Sequence, residues 1–108
     1  MQYEIYYIDK ANRLEAMLLF SLKSKINWCE EGLKLVSWKY NKIEKGQDKN
    51  LQSIFKKYSI LRFDKRRKKQ FRTINIGDII LFDDKVWIIS SFGFAQIPDI
   101  IWDKMVKN

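Results

Sequence analysis

The sequence predicts a single α+β domain spanning residues 1–108, a small antiparallel β-sheet with short helices packed against it. Three observations predict it. Two stretches, Gln2 to Ile8 and Ile74 to Phe94, are rich in β-branched and aromatic residues and contain no proline. Between and after them, apolar residues recur at helical spacing, as in Leu51, Ile54, Phe55 and Tyr58. The chain has 108 residues, 46% of them hydrophobic and 15% aromatic, with one proline and four glycines. That is enough apolar surface for one core and leaves room only for short connections.

In Gln2 to Ile8, Tyr3, Ile5 and Tyr7 share one strand face, and Glu4 and Tyr6 share the other. Asp9 or Asn12 can cap a helix running to about Lys23, with Leu14, Met17, Leu18 and Phe20 or Leu22 as its apolar stripe. Trp28 to Gly32 reads as a turn closed by the glycine. Leu33 to Ile43 then reads as a strand, because Val36, Trp38 and Tyr40 alternate with Leu35, Ser37 and Lys39. Lys45 to Asn50 is a polar loop, and Asp48 or Asn50 can cap the helix of Leu51 to Tyr58. Asp78 to Phe82 and Lys85 to Ser91 form a hairpin turned by Asp83-Asp84. Phe92-Gly93-Phe94 is a bend, and Pro98 with Asp99 opens a last helix holding Ile100, Ile101, Trp102 and Met105.

Composition removes several chemistries. There is no histidine and only one cysteine, Cys29. One chain therefore offers no Cys/His zinc site, no Ser-His-Asp triad and no internal disulfide. No metal is expected, and an enzyme would have to draw on Asp78, Asp83, Asp84 or Cys29. No apolar run approaches the ~20 residues that span a bilayer. The opening Met-Gln-Tyr-Glu-Ile-Tyr-Tyr lacks a charged leader and apolar stretch, so a cytoplasmic protein is expected.

The residues from Arg62 to Arg72 are the candidate contact surface. Seven of these eleven residues are basic (Arg62, Lys65, Arg66, Arg67, Lys68, Lys69 and Arg72) and one is acidic, so they hold six of the chain's eight net positive charges. Phe63 and Phe71 flank the run. Such a block can release counterions from a phosphate backbone, with the aromatics stacking on unpaired bases. It can also dock an acidic protein face, or remain a solvated loop, as charge runs usually do. No zinc-finger spacing, aromatic RNP pattern or Gly-x-x-Gly loop accompanies it.

Other singled-out residues have structural readings. Asp83 and Asp84 could hold a hard cation, but paired aspartates also suit a turn. Gly77 supplies positive φ where the chain enters a strand, and Asp78 can accept backbone N–H bonds there. Gly93 marks a bend or bulge. The tryptophans Trp28, Trp38, Trp87 and Trp102 are expected mostly in the core, with Trp87 in a strand buried on both faces. Cys29 is expected to be a buried or inert thiol.

Three segments carry a family resemblance. They are Leu51-Gln-Ser-Ile-Phe-Lys-Lys-Tyr58, Ile74-Asn-Ile-Gly-Asp-Ile-Ile-Leu81 and Trp87-Ile-Ile-Ser-Ser-Phe-Gly-Phe-Ala-Gln-Ile-Pro98. In this order and near this spacing they resemble the YodL-like domain of small bacterial, phage and mobile-element proteins, over Leu51 to about Trp102. The crossing into the Gly-Asp strand is longer here, lacks Pro and Gly, and is filled with Lys and Arg. The resemblance implies a protein-binding module without catalysis or cofactor. It implies an inhibitor that blocks a host factor, such as an anti-defence or anti-CRISPR-like protein, or a regulator of the actin-like cell-shape machinery. The expected partner is a host protein or ribonucleoprotein complex, with direct RNA or DNA contact as the alternative, and no membrane.

Overall fold

In the computed structural model, residues 1–22, 25–60, 62–64 and 69–107 are described, those of 62–64 and 69–71 in backbone alone. Strand β1 (Gln2–Ile8) is an inner strand of a five-stranded antiparallel sheet. Its alternation serves both sides of the sheet. Tyr3, Ile5 and Tyr7 enter one buried cluster, while Ile8 enters a second, with Tyr6 packed against it. Asp9 caps a 3-10 turn (Lys10–Asn12) by accepting from Ala11 N, and helix α1 (Arg13–Leu22) follows. Helix α1 buries Ala16, Leu19 and Phe20 and leaves Leu14, Leu18 and Leu22 exposed.

Residues 28–37 differ from the sequence expectation of a turn and a strand. They form helix α2 (Trp28–Ser37). Asn27 caps it by accepting from Cys29 N, and Glu31 reaches back to accept from Asn27 N. The alternation of Val36, Trp38 and Tyr40 imitates a strand only because helix and strand meet there. The buried positions Glu31, Gly32 and Leu35 have helical spacing. Gly32 closes no turn. A Cβ on it would stand 2.6 Å from Ile101 Cδ1, so the glycine lets α4 (Asp99–Lys107) pack closely on α2. The strand begins later than expected, as β2 (Tyr40–Gln47), an edge strand paired with β1 through an irregular register at Ile5/Tyr6.

Helix α3 (Leu51–Tyr58) is capped by Asn50, which accepts from Ser53 N at 2.8 Å. It buries Ile54 and Tyr58. A two-stranded hairpin of β3 (Arg62–Asp64) and β4 (Lys69–Phe71) follows. Strands β5 (Ile79–Phe82) and β6 (Lys85–Ser90) form the expected hairpin. At its turn Asp83 and Asp84 have φ of 53° and 60°, the mirror-image turn whose twist suits a hairpin.

The chain then makes a strand where only a bend was expected, β7 (Gly93–Ile97), before Pro98 opens α4. Gly, Ala and Gln are weak strand formers, so β7 is legible only through its pairing with β6. The sheet order is β2-β1-β5-β6-β7. Residues of α1, α2 and α4 share one buried cluster with Ile79, Val86, Ile88 and Ile97 of the sheet. On the other side, Ile54 and Tyr58 of α3 pack with Ile80 and Ile89. Among the tryptophans, Trp38 is buried and Trp28, Trp87 and Trp102 are half-buried. Cys29, expected as a buried or inert thiol, is not buried but exposed in the first turn of α2. No helix of the described residues is long and apolar enough to cross a membrane.

The left-handed conformation at Asp84 gives a direct stability test. Asp84→Gly removes the steric cost of that conformation and is expected to stabilise the fold by roughly 0.5–1 kcal/mol. Thermal unfolding should show a melting point a few degrees higher; an unchanged or lower one contradicts this account of the turn.

Candidate contact surface and its buried root

The basic segment is an excursion from the sheet's second face. It leaves at Tyr58, the end of α3, and Ile74 N returns to donate to Tyr58 O at 2.8 Å. Both ends are fixed in the core. Tyr58 is 2% exposed, with its hydroxyl 3.0 Å from that of Tyr3, and Ile74 is buried in the same cluster. Within the excursion the backbones of β3 and β4 pair as Arg62↔Phe71, Phe63↔Gln70 and Asp64↔Lys69. The expected contact residues Lys65, Arg66, Arg67 and Lys68, which join the two strands in sequence, lie outside the described residues. Arg62, Phe63, Lys69 and Phe71 are placed by their backbone in the hairpin.

Arg72, grouped with the contact cations in the sequence, has a different position. Its guanidinium turns inward onto Asp78, with Nη1 2.6 Å from Oδ2 and Nη2 2.7 Å from Oδ1. It also donates to Thr73 O and lies 4.1 Å from the centre of the Tyr7 ring, while Tyr7 OH donates to Arg72 O at 3.0 Å. Burial alone would lower the Arg72 pKa, but the hydrogen bonds and charge of Asp78, with a contribution from Tyr7, hold it above its ordinary value. Arg72 is therefore the root of the hairpin, and its charge is already matched.

Asp78 is fully buried, at 0% exposure. Its carboxylate accepts from Ile8 N at 2.9 Å and Asn75 N at 2.8 Å as well as from both arms of Arg72. Its backbone is bonded too, accepting from Ile89 N and donating to Asn75 O. Gly77 makes the approach possible. Its φ is +94°, as the sequence anticipated, and a Cβ there would stand 2.9 Å from Ala16 Cβ. Sequence reading found Asp78 as a turn acceptor but missed its pairing with Arg72. The available signal was an arginine six positions before a Gly-Asp that starts a buried strand.

Near this root, burial and then the charge of Asp78 push the Tyr40 hydroxyl pKa well up, so it stays protonated. Tyr40 OH and Trp38 Nε1 are buried without a hydrogen-bond partner among the described residues. Elsewhere, Asp83 and Asp84 border a hollow of about 390 Å³ with Tyr3, Glu4 and Lys45. Glu4 is engaged by Lys42 at 2.7 Å and by Tyr6 OH, and its pKa is lowered by those two hydrogen bonds. Among the described residues no group of three or more His, Cys, Asp or Glu side chains could hold a metal ion.

The root makes a quantitative prediction. Arg72→Ala strands a buried carboxylate and is expected to cost about 3–5 kcal/mol. Arg72→Lys should recover only part, because an ammonium cannot give two parallel N–H bonds. The double change Arg72→Ala with Asp78→Ala should cost less than the sum of the single changes, by roughly 0.5–3 kcal/mol. Urea unfolding of the wild type, Arg72→Ala, Arg72→Lys, Asp78→Ala and the double variant measures this; strict additivity would show that the pair is not coupled.

Set against protein-family models, curated proteins and solved structures, the chain matches none of them.

Proposed function

We propose that this chain is a non-catalytic binding protein of phage or mobile-element type that blocks a host factor by occupying its surface. The target class is a nucleic-acid-handling defence complex, such as a CRISPR effector. The observation that carries this reading is the mounting of the basic segment. The excursion is closed at its base by the Tyr58–Ile74 backbone bond and rooted by Arg72 on buried Asp78. A segment held in this way can carry its charge away from the core while only its base is anchored there. The resemblance to the YodL-like domain supports the same reading, since the basic run sits in the crossing where this chain departs from that family.

In this reading Arg62, Lys65, Arg66, Arg67, Lys68 and Lys69 make charge-assisted contacts with an acidic protein face, and Phe63 and Phe71 supply apolar anchors. Arg72 positions the hairpin. Direct binding of RNA or DNA by the same cations is the second reading, favoured by the net charge of +8.

One experiment separates them. The wild type is compared with a variant in which Arg66, Arg67, Lys68 and Lys69 are all changed to Ala, in capture of a host partner and in binding of naked RNA and DNA across a salt series. The proposal expects the variant to keep its melting point and to lose capture by at least about tenfold, equivalent to ~1.4 kcal/mol. It expects naked nucleic acid to bind weakly. Capture that is unchanged in the variant removes the segment as the contact. Tight nucleic-acid binding whose log K falls steeply with log salt establishes the second reading.

A further inference from the structure

The two edges of the main sheet are built differently. Strand β2 carries Lys42, Glu44 and Lys45 and has an irregular register against β1. Charges and bulges of this kind protect an edge from pairing with another chain. Strand β7, Gly93-Phe-Ala-Gln-Ile97, has no charged residue, no proline and an unbroken register against β6.

The bonding phase of β7 follows from the strands beside it. Ile89 N donates to Asp78 O, so the odd-numbered residues of β6 bond toward β5. Val86, Ile88 and Ser90 therefore bond toward β7, where they face Ile97, Ala95 and Gly93. This directs the N–H and C=O of Phe94 and Gln96 outward. Among the described residues no hydrogen bond reaches them from that side. Large exposed apolar side chains bracket the strand, Phe92 at 60% exposure before it and Ile100 at 65% after it.

We infer that β7 is a self-association edge, where two copies of this chain join antiparallel strands about a twofold axis at Ala95. In that register Phe94 of one copy exchanges both backbone bonds with Gln96 of the other. Phe92 of each copy comes to the end of the joint where Pro98 and Ile100 of the other stand. The occupant is a second copy because the edge is complementary to itself: the outward bonding groups flank Ala95 symmetrically, and the apolar residues lie at opposite ends. The chain's charge resists self-association in general, but six of its eight net charges reside in Arg62 to Arg72 and none in β7. The inference does not depend on what the basic segment binds.

Sedimentation over a wide concentration range, at low and at raised salt, tests it. The wild type should reach twice the mass of one chain, and more readily at raised salt, where self-repulsion is screened. A complex made by the basic segment should weaken under the same change, which keeps the two proposals apart. Gln96→Pro removes an outward N–H and is compatible with an edge strand, so it should give single chains with an unchanged melting point. Gln96→Lys gives a second variant should the proline disturb the fold, and it too should give single chains. Leu18→Glu, on the exposed face of α1, should leave the mass of the wild type. A wild type of single-chain mass at every concentration overturns the inference. So does a dimer that survives both Gln96 changes, or one abolished by Leu18→Glu.

Discussion

The pairing of Arg72 with Asp78 is the constraint around which the rest of the structure is arranged. A carboxylate with no exposure must be compensated on both oxygens, because an uncompensated buried charge costs several kcal/mol. The compensation comes from three parts of the chain: Ile8 at the end of β1, Asn75 in the approach to β5, and Arg72 at the end of the excursion. Since Ile8 and Asp78 are 70 residues apart, one side chain fixes the register of β1 against β5, and with it the centre of the sheet. Tyr7 completes the arrangement by offering its ring to the guanidinium and its hydroxyl to the Arg72 carbonyl. Its strand position is thereby tied to the same point.

Much of the fold was legible because local and tertiary preferences agree. The period of two in β1 sends Tyr3, Ile5 and Tyr7 to one cluster and Ile8 to the other. The caps at Asp9 and Asn50 stand where short polar residues precede apolar periodicity. The positive φ of Gly77 and of the aspartate turn is local backbone geometry. Of the elements that were misread, α2 and β7 lie where the preferences compete, while the β3–β4 hairpin and the end of β2 at Gln47 lie in runs read as polar loop. In α2 a glycine resembling a turn residue serves close packing against Ile101, and the helix ends where an alternating run begins. In β7 Gly93, Ala95 and Gln96 have little intrinsic strand preference, and the partner strand supplies it.

The candidate surface was legible as charge and not as architecture. Counting basic residues found the segment but could not separate Arg72 from the others. That separation depends on where Asp78 lies in space, and only the return of the chain to Tyr58 determines it. The same asymmetry holds for Asp78, whose turn geometry is local and whose bond to Ile8 is not.

The backbone bond between Tyr58 and Ile74 makes the basic segment's length nearly independent of the fold. A closed excursion grows at a cost that rises only with the logarithm of its length, about 0.6 kcal/mol for each doubling. The chain leaves and re-enters at one point, so residues added between β3 and β4 are expected to leave the five-stranded sheet in register. This protein thus has an insertion port, at which a foreign recognition sequence could be exchanged for the native one while the Arg72 root and the sheet stay as they are.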